Sequence, residues 1–245
     1  MASRTLPDFY RGEYSAFTGQ LEKDWGISLA SCSTLATVLK PLHKKYLGLA
    51  CIATIMGKGG RRNEYVQGIP EACYSCIILA LRGLENPSSV LLRQTIELTL
   101  KHIFFVSHPV EYRWAIESED YKELTFQFLC EYLSKVSEFK ALVRKGILAQ
   151  LQSDFALLSR YVHVHSKEFL IYSVKCSSSR KVSPVVSKIS TIASRLWPLL
   201  SLLLVAHSAS KYVAASVLEK RIIRNVMPTR LRTCLDECVT EPGPK

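Results

Sequence analysis

Apolar residues recur at intervals of three and four along most of the chain, and this spacing is the feature that most constrains its fold. The pattern is strongest over residues 71–84, 87–108 and 187–226. Such spacing places an apolar stripe on one face of a helix, whereas a half-buried strand alternates apolar and polar residues. The sequence contains no alternating run of strand length and no visible internal repeat. It therefore predicts an all-α protein, most simply an up-and-down helical bundle with an N-terminal helical elaboration.

Glycine, proline and polar residues divide this pattern into four segments. We predict an N-terminal helical elaboration over residues 1–56 and a glycine-rich loop over 57–70. The main helical bundle is predicted over 71–226. Residues 227–245 are predicted to form a basic segment that ends in a disordered tail.

Two prolines and one glycine are expected to interrupt the longest helices. Pro41 should bend or break the helix predicted over 27–57, and Pro198 should kink the one over 187–226. Gly146 should separate two helices in the middle of the chain.

Composition and targeting signals indicate an intracellular globular protein. The chain has 245 residues, of which 48% are apolar and 22% charged, as in globular proteins. Most of its eight cysteines lie inside apolar helical runs, where a free thiol behaves as a small hydrophobe. The first residues lack the apolar core of a secretory signal. The apolar run 196–206 is too short to span a bilayer. We therefore predict a cytoplasmic protein without a membrane span.

Positive charge is concentrated in one part of the sequence. The whole chain has 32 lysines and arginines against 21 acidic residues, a formal net charge of +11. Residues 169–235 contain eleven of these cations, and Glu219 is the one acidic residue among them. Such an excess favours an anionic partner, nucleic acid or a membrane surface. A solvated basic face without a partner is the plainer alternative.

The helix predicted over 87–108 carries charges on an otherwise apolar surface. Arg93, Glu97 and Lys101 recur at every fourth position and so share one face. A solvent-exposed ladder of this kind would contribute about 0.2–0.5 kcal/mol per pair. Because leucine, isoleucine and phenylalanine cover much of the same helix, we expect the ladder to be largely buried and to need polar partners from a neighbouring segment.

A second polar group lies in SRYVHVHS (159–166), at the end of another helical pattern. Arg160 and His163 are three positions apart and share a helix face, whereas Arg160 and His165 lie roughly 140° apart on an ideal helix. Histidine titrates near neutral pH and arginine binds phosphate through two parallel hydrogen bonds, so the group suits proton transfer beside a phosphate. Histidines that serve only in packing or on the surface are the alternative.

The sequence predicts neither a metal nor a cofactor. The candidate histidine ligands are His102, His108, His163 and His165. The candidate thiolate ligands are Cys73, Cys76, Cys234 and Cys238. The histidines lack the spacing of common metal motifs, and the two cysteine pairs lie in an apolar helical run and near the tail.

Two motifs resemble those of HEPN domains, all-α bundles common among prokaryotic toxins, abortive-infection proteins and CRISPR-associated ribonucleases. The spacing of Arg160 and His165 is similar to their R-x₄₋₆-H motif. The succession of LLRQTIELTLKHIFF (91–105) and LLSRYVHVHS (157–166) also resembles an uncharacterised bacterial HEPN-related family. That family has an Arg-x₃-Glu helix followed by an L-S-x-x-V-H segment. The similarity covers roughly residues 70–210.

This resemblance implies a homodimeric, metal-independent ribonuclease. The ribose 2′-hydroxyl would attack the adjacent phosphate, and Arg160 would stabilise the charge that develops there. The first motif makes His165 the residue that moves a proton, and the second makes it His163. Glu97, one turn from Arg93, would orient a histidine or arginine of the neighbouring helix.

The sequence thus predicts an RNA-cleaving effector of a defence or toxin system, which acts with RNA and with a partner protein of that system. Arg180, Lys181 and Lys188 are predicted to hold the RNA backbone. The alternative is a non-catalytic helical interaction or regulatory module, whose Arg/Glu/His cluster forms a buried polar network. A third hypothesis is a nucleotide-binding regulator. Catalysis predicts an open cleft beside Arg160, whereas the module predicts a buried and hydrogen-bonded cluster.

Overall fold

The computed structural model of the chain describes residues 5–27, 33–58, 64–161 and 182–240. These ranges contain α-helices and one short 3-10 helix, Ser137–Phe139, and no strand. The α-helices are α1 (Leu6–Trp25), α2 (Ser33–Gly57), α3 (Glu64–Leu81), α4 (Glu85–Ser107), α5 (Pro109–Glu117), α6 (Phe126–Lys135), α7 (Lys140–Arg144), α8 (Ile147–Ser159), α9 (Val182–His207), α10 (Ala209–Ala214), α11 (Val217–Val226) and α12 (Thr229–Thr240). The predicted all-α helical bundle is confirmed.

Helix α9 lies at the centre of the bundle. It packs against α2, α3, α4, α8 and α12. A helix that is apolar on all sides has to be surrounded by other elements, and Leu196, Trp197 and Leu200 are fully buried in α9. Burying each such side chain is favourable by about 1.5–3 kcal/mol. The central position of α9 therefore follows from its composition.

Helix α9 is also the one described helix that is long and apolar enough to cross a membrane by length and composition. The apolar stretch is Pro184–His207, and 83% of its 18-residue window is buried inside the fold. That degree of burial is what a central core helix requires. The predicted absence of a membrane span stays a prediction.

Helix α2, which the sequence assigned to an N-terminal elaboration, belongs to this same core. It packs against α3, α9 and α11, and Leu42 and Ile52 are fully buried. Gly48 allows α11 to approach closely, because a Cβ atom at this position would overlap the side chain of Val226. The helix continues through Pro41 as one element, and α9 likewise continues through Pro198.

Part of the predicted loop over 57–70 is helical instead. Helix α3 begins at Glu64 and includes Pro70. Val66 and Ile69 are buried in the core. Their packing outweighs the glycine and proline content that indicated a loop.

The C-terminal segments also differ from the prediction. The pattern over 187–226 does not form one helix, because Ser216 and Glu219 form a reciprocal capping box that starts α11 separately. Most of residues 227–245, predicted as a basic segment with a disordered tail, is helix α12, with Leu231 and Leu235 buried, and residues 241–245 lie outside the described ranges. Gly146 separates α7 from α8 as predicted, with a left-handed φ of 73°.

Candidate functional site at the end of helix α8

The predicted site residues fall on three helices that meet around α8. Arg93 and Glu97 lie on α4, Arg160 directly follows the last residue of α8, and Lys188 lies on α9. Four further predicted residues lie outside the described ranges: His163, His165, Arg180 and Lys181. The structure therefore reports the surroundings of Arg160 but not the position of either histidine.

Arg93 and Glu97 form an ion pair that faces α8. The Nε and Nη2 atoms of Arg93 each lie 3.0 Å from the Oε1 atom of Glu97. The Arg93 guanidinium stands over the Phe155 ring at 4.7 Å, and Phe155 stacks on Phe126 with 3.6 Å between ring centroids. The two charged side chains remain 23% and 30% exposed. Most of the surface of both side chains is therefore buried, as expected, but the described contact from the neighbouring helix is the aromatic ring of Phe155 rather than a polar group.

The predicted ladder is also shorter than three residues. The ammonium group of Lys101 pairs with Glu123 rather than with Glu97, and it stands over the Tyr65 ring at 5.8 Å. The Lys101 side chain is only 13% exposed. Lys101 thus belongs to a separate contact, between α4 and the segment that links α5 to α6.

Arg160 lies at the solvent-exposed end of α8. Within the described ranges, its side chain has neither a hydrogen bond nor an ion pair. The next residue, Tyr161, donates its backbone N–H to the Leu158 carbonyl at 3.1 Å. The ammonium group of Lys188 stands over the Tyr161 ring at 5.0 Å and pairs with Glu85. The Arg160 guanidinium is therefore available to bind an external anion, whereas the ammonium group of Lys188 already pairs with Glu85.

An ion pair between a buried aspartate of α8 and a solvent-exposed arginine of α9 was not predicted from the sequence. Asp154 is only 1% exposed. Arg195 donates from Nε to Oδ2 of Asp154 at 3.2 Å and from Nη2 to Oδ1, and Gln150 reaches the same carboxylate at 3.4 Å. A carboxylate at a buried position of a helix, between Leu151 and Leu158, is the signal that could have identified this pair.

Seven of the eight described cations between residues 182 and 235 make contacts within the fold. Lys188, Arg195 and Arg224 form ion pairs with Glu85, Asp154 and Asp236. The other four donate to backbone carbonyls at or near helix C-termini: Lys211 to Met56 and Lys58, Lys220 to Val213, Arg230 to Lys145, and Arg232 to Arg224 and Met227. Such carbonyls have no partner within their own helix and carry a partial negative charge. Much of the basic charge is thus used in the fold, and Arg221 is the exception among these eight.

Two other histidines lie close together, but in the interior and away from Arg160. His102 of α4 and His207 of α9 have ring centroids 6.4 Å apart. Burial is the main cause that lowers the pKa of His102 to about 3, and the neighbouring His207 and Lys211 contribute to this shift. The Nδ1 atom of His102 has no hydrogen-bond partner within the described ranges. This pair is neutral at physiological pH and is unsuited to proton transfer on an external substrate.

No described group of three or more histidine, cysteine, aspartate or glutamate side chains is arranged to hold a metal ion. The six described cysteines are free thiols, and burial is the main cause that raises the pKa of Cys73 and Cys76. These two thiols are therefore protonated at neutral pH and are poor ligands or nucleophiles.

The geometry around α8 defines a partly charged surface next to the start of the segment 162–181. We call it the α8-end cluster: Glu85, Arg93, Glu97, Phe155, Arg160, Tyr161 and Lys188. It contains the Arg160 guanidinium, which has no described partner. It also contains the Arg93–Glu97 ion pair, whose guanidinium stands over the Phe155 ring, and Lys188, which pairs with Glu85. Comparison with family models, with curated proteins and with solved structures finds no match to this chain.

Proposed function

We propose that the protein cleaves RNA at the α8-end cluster. One observation carries this proposal: Arg160 is exposed and without an ion pair among the described residues, although most cations of the basic region make contacts within the fold. A guanidinium held at the end of a helix, without an internal carboxylate, suits binding of a phosphate group from solution. The short motifs that resemble HEPN domains point to the same residue.

Both proposed histidines follow Arg160 closely in the sequence. The chain spans at most about 3.6 Å per residue, so the Cα atoms of Arg160 and His163 are no more than about 11 Å apart, and those of Arg160 and His165 about 18 Å. Arginine and histidine side chains together bridge much of such a distance. The sequence separation is therefore compatible with a role for either histidine beside Arg160.

The proposed reaction needs no group beyond the RNA and these side chains. A histidine accepts the proton of the ribose 2′-hydroxyl, and the resulting oxygen attacks the adjacent phosphorus. The bond to the 5′-oxygen of the next nucleotide breaks, and that oxygen receives a proton. The products are a 2′,3′-cyclic phosphate and a 5′-hydroxyl. Arg160 stabilises the additional charge on the phosphate oxygens, and the Arg93–Glu97 pair positions the end of α8 through Phe155.

Cleavage of labelled RNA by the full-length protein in EDTA tests this proposal. We expect Arg160→Ala to abolish cleavage while binding is retained, because the proposed contribution of Arg160 is made in the transition state. Arg144→Ala is the matched control, since Arg144 is exposed at the end of α7. Absence of any RNA cleavage by the unmodified protein would contradict the proposal.

Variants of His163 and His165 decide which of the two histidines transfers the proton. Loss of cleavage in His165→Ala with His163→Ala unchanged supports the R-x₄-H register. The reverse result assigns the role to His163. If neither variant changes the rate, neither histidine transfers the proton.

RNA binding is proposed to depend on the remaining basic residues. Charge reversal at Arg180 and Lys181 should weaken binding to all RNA sequences alike, because contacts to the backbone carry no base information. Reversal at Lys188 should also release Glu85 and Tyr161, so its effect includes a local structural change. The measurement is RNA affinity at several salt concentrations, which should fall steeply as salt rises.

The proposal includes a homodimer and a defence or toxin setting with a partner protein of that system. Growth arrest on expression, relieved by Arg160→Ala, is the expected cellular outcome. Light scattering on the purified protein measures the oligomeric state.

A second candidate function is a non-catalytic interaction module. The observation that favours it is the Asp154–Arg195 pair, in which the buried carboxylate of Asp154 holds the arginine of α9 against α8. Buried polar networks of this kind specify a unique packing arrangement. The module predicts that RNA is not cleaved under any condition and that the histidine variants change only stability.

A further inference from the structure

An aromatic groove lies away from the proposed RNA site. It is formed by the C-terminal end of α4, by α5, by the segment that links α5 to α6, and by α6. Its volume is about 660 Å³ and it is open to solvent on one side. Ligand sites in proteins have volumes of about 300–1,000 Å³. The groove is therefore large enough for one side chain of a partner together with its neighbours.

Aromatic rings form the wall of this groove. Phe104 packs edge-to-face against Phe128 at 5.6 Å and against Tyr132 at 5.1 Å, measured between ring centroids. Trp114 packs in the same manner against Tyr121 at 5.4 Å. Trp114 is nevertheless 54% exposed and Phe128 44% exposed. The rings are held in place by one another while part of their surface remains open to solvent.

Two carboxylates complete the groove. Glu111 and Asp120 line it, and within the described ranges neither side chain has a hydrogen bond or an ion pair. Lys122 also lines the groove and is exposed. The Tyr121 hydroxyl, shielded from solvent, has no hydrogen-bond partner among the described residues. Burial raises the pKa of Tyr121, and the nearby carboxylates of Glu111 and Glu123 raise it further, which indicates a negative potential at this wall.

The charge around the groove is opposite to that of the whole chain. Residues 111–123 contain five acidic residues against Arg113 and Lys122, whereas the chain has a formal net charge of +11. An anionic partner such as RNA is disfavoured here. A cation is favoured twice, by the carboxylates and by the negative faces of the aromatic rings.

We infer that the aromatic groove binds an arginine side chain on an exposed segment of a basic partner protein. Arginine fits both features, since its flat guanidinium stacks on aromatic rings and donates two parallel hydrogen bonds to a carboxylate. This site is separate from the α8-end cluster, and the inference does not depend on RNA cleavage.

The surface beside the groove indicates a peptide segment rather than a small free cation. Helix α5 has no buried residue, and Val110 and Ile116 are 77% and 51% exposed. Val106, near the end of α4, is 50% exposed. Exposed apolar side chains that cluster next to a groove are typical of protein interaction surfaces. A segment that carries an arginine among apolar residues would cover both the groove and this apolar surface.

Fluorescence anisotropy with a labelled peptide tests the inference on the full-length protein. The probe is a short peptide with two arginines among leucines, and the comparison peptides replace both arginines by lysine or by glutamate. We expect the arginine peptide to bind about threefold to thirtyfold more tightly than the lysine peptide, because lysine cannot stack or bind a carboxylate through two parallel hydrogen bonds. The glutamate peptide should not bind measurably.

Two matched pairs of substitutions locate the binding site. The double variant Glu111→Gln, Asp120→Asn should weaken the arginine peptide about tenfold, since hydrogen bonds to charged groups contribute most. Glu117→Gln, Glu119→Gln removes the same charge from exposed positions that do not line the groove, and it should change affinity less than about twofold. Trp114→Ala should weaken binding about tenfold. Because Trp114 is 54% exposed, this variant should keep the fold, which circular dichroism checks.

Several results would overturn the inference. If the Glu111→Gln, Asp120→Asn variant and the Glu117→Gln, Glu119→Gln variant weaken binding equally, the overall negative charge of this region attracts the peptide and the groove carboxylates do not bind it specifically. Equal binding of the glutamate peptide would mean that only apolar contacts are used. Full displacement of the arginine peptide by millimolar tetramethylammonium would make the groove a small-cation site. Binding of neutral phosphatidylcholine vesicles that is lost in Trp114→Ala but retained in Glu111→Gln, Asp120→Asn would make the surface a membrane contact.

Discussion

The basic C-terminal region and the acidic aromatic groove use charge in opposite ways. In the C-terminal region, the cations on α9 to α12 mostly pair with carboxylates or donate to carbonyls at helix ends. In the groove, Glu111 and Asp120 are left without partners among the described residues. The first arrangement stabilises the fold, whereas the second leaves charge available to a ligand.

This difference shows that the number of charges in a segment is a poor guide to its partner. What matters is the charge that remains after the internal contacts have formed. By that criterion, the two groove carboxylates, Arg160, Arg144 and Arg221 all keep their charge available, and the long basic run contributes less than its composition indicates.

The strongest test of the structural role of the basic region is Arg195→Met. This change leaves the Asp154 carboxylate buried without its cation, which should lower the free energy of unfolding by about 3 kcal/mol. Urea denaturation measures the effect. Lys188→Met, which removes the cation of the more exposed pair with Glu85, should cost less than about 1 kcal/mol.

A double substitution separates loss of the pair from loss of packing. Asp154→Leu combined with Arg195→Met replaces both charges by apolar groups, and it should recover most of the stability lost in Arg195→Met alone. If the double variant is as unstable as the single one, the pair does not act as a buried charge contact.

A second test concerns His102, a buried and uncharged histidine. Burial lowers the pKa of His102 from 6.5 to about 3. The unfolded chain therefore binds a proton below pH 6.5 that the folded chain does not, so stability falls as the pH decreases. We expect His102 to account for a loss of about 2 kcal/mol between pH 7 and 5.

His102→Leu should remove this loss. At pH 7 the variant should be close to the parent protein in stability, because His102 makes no described hydrogen bond that leucine would lose. Urea denaturation at pH 7 and 5 measures both quantities. An unchanged difference between the two pH values would show that His102 is protonated in the folded state.

A smaller effect should come from the cations at helix ends. Lys211→Met removes the contacts to the Met56 and Lys58 carbonyls at the end of α2, and it should cost about 1 kcal/mol. Arg221→Met removes the same charge from a position without a described partner, and it should stay within about 0.5 kcal/mol of the parent. Equal melting temperatures for the two variants would contradict the structural role assigned to Lys211.

The smallest effect is expected at the Arg93–Glu97 pair. Its side chains are 23% and 30% exposed, and such pairs within a helix contribute about 0.5 kcal/mol or less. Glu97→Ala should therefore change thermal stability slightly. A clear loss of RNA cleavage in this stable variant would support the positioning role proposed for the pair, whereas unchanged cleavage would make it a surface contact.

The spacing of apolar residues predicted the helices correctly where the burial of those residues agrees with their local sequence composition. The helix expected over 87–108 is observed as Glu85–Ser107, and Gly146 ends a helix with a positive φ. Residues 64–70 were missed because the burial of Val66 and Ile69 outweighs their glycine- and proline-rich context. Composition describes local preference, while burial depends on the rest of the molecule.

The candidate site could be predicted only in part, because its contacts join distant parts of the chain. Asp154 and Arg195 are 41 positions apart, Glu85 and Lys188 are 103 apart, and Lys211 is 155 positions from Met56. No local spacing encodes such pairings. The Arg93–Glu97 pair was recognisable because its partners are one turn apart on a single helix.

We propose that the guanidinium of Arg160, rather than the total charge of the basic region, marks the functional surface. The most direct test of this proposal compares RNA cleavage in EDTA by Arg160→Gln and by Arg224→Gln, which each remove one positive charge. Arg224 is paired with Asp236, whereas Arg160 has no described partner. We predict that Arg160→Gln lowers the cleavage rate by at least about 100-fold and that Arg224→Gln stays within about twofold of the parent. Equal losses in the two variants, or an unchanged rate in Arg160→Gln, would contradict this account.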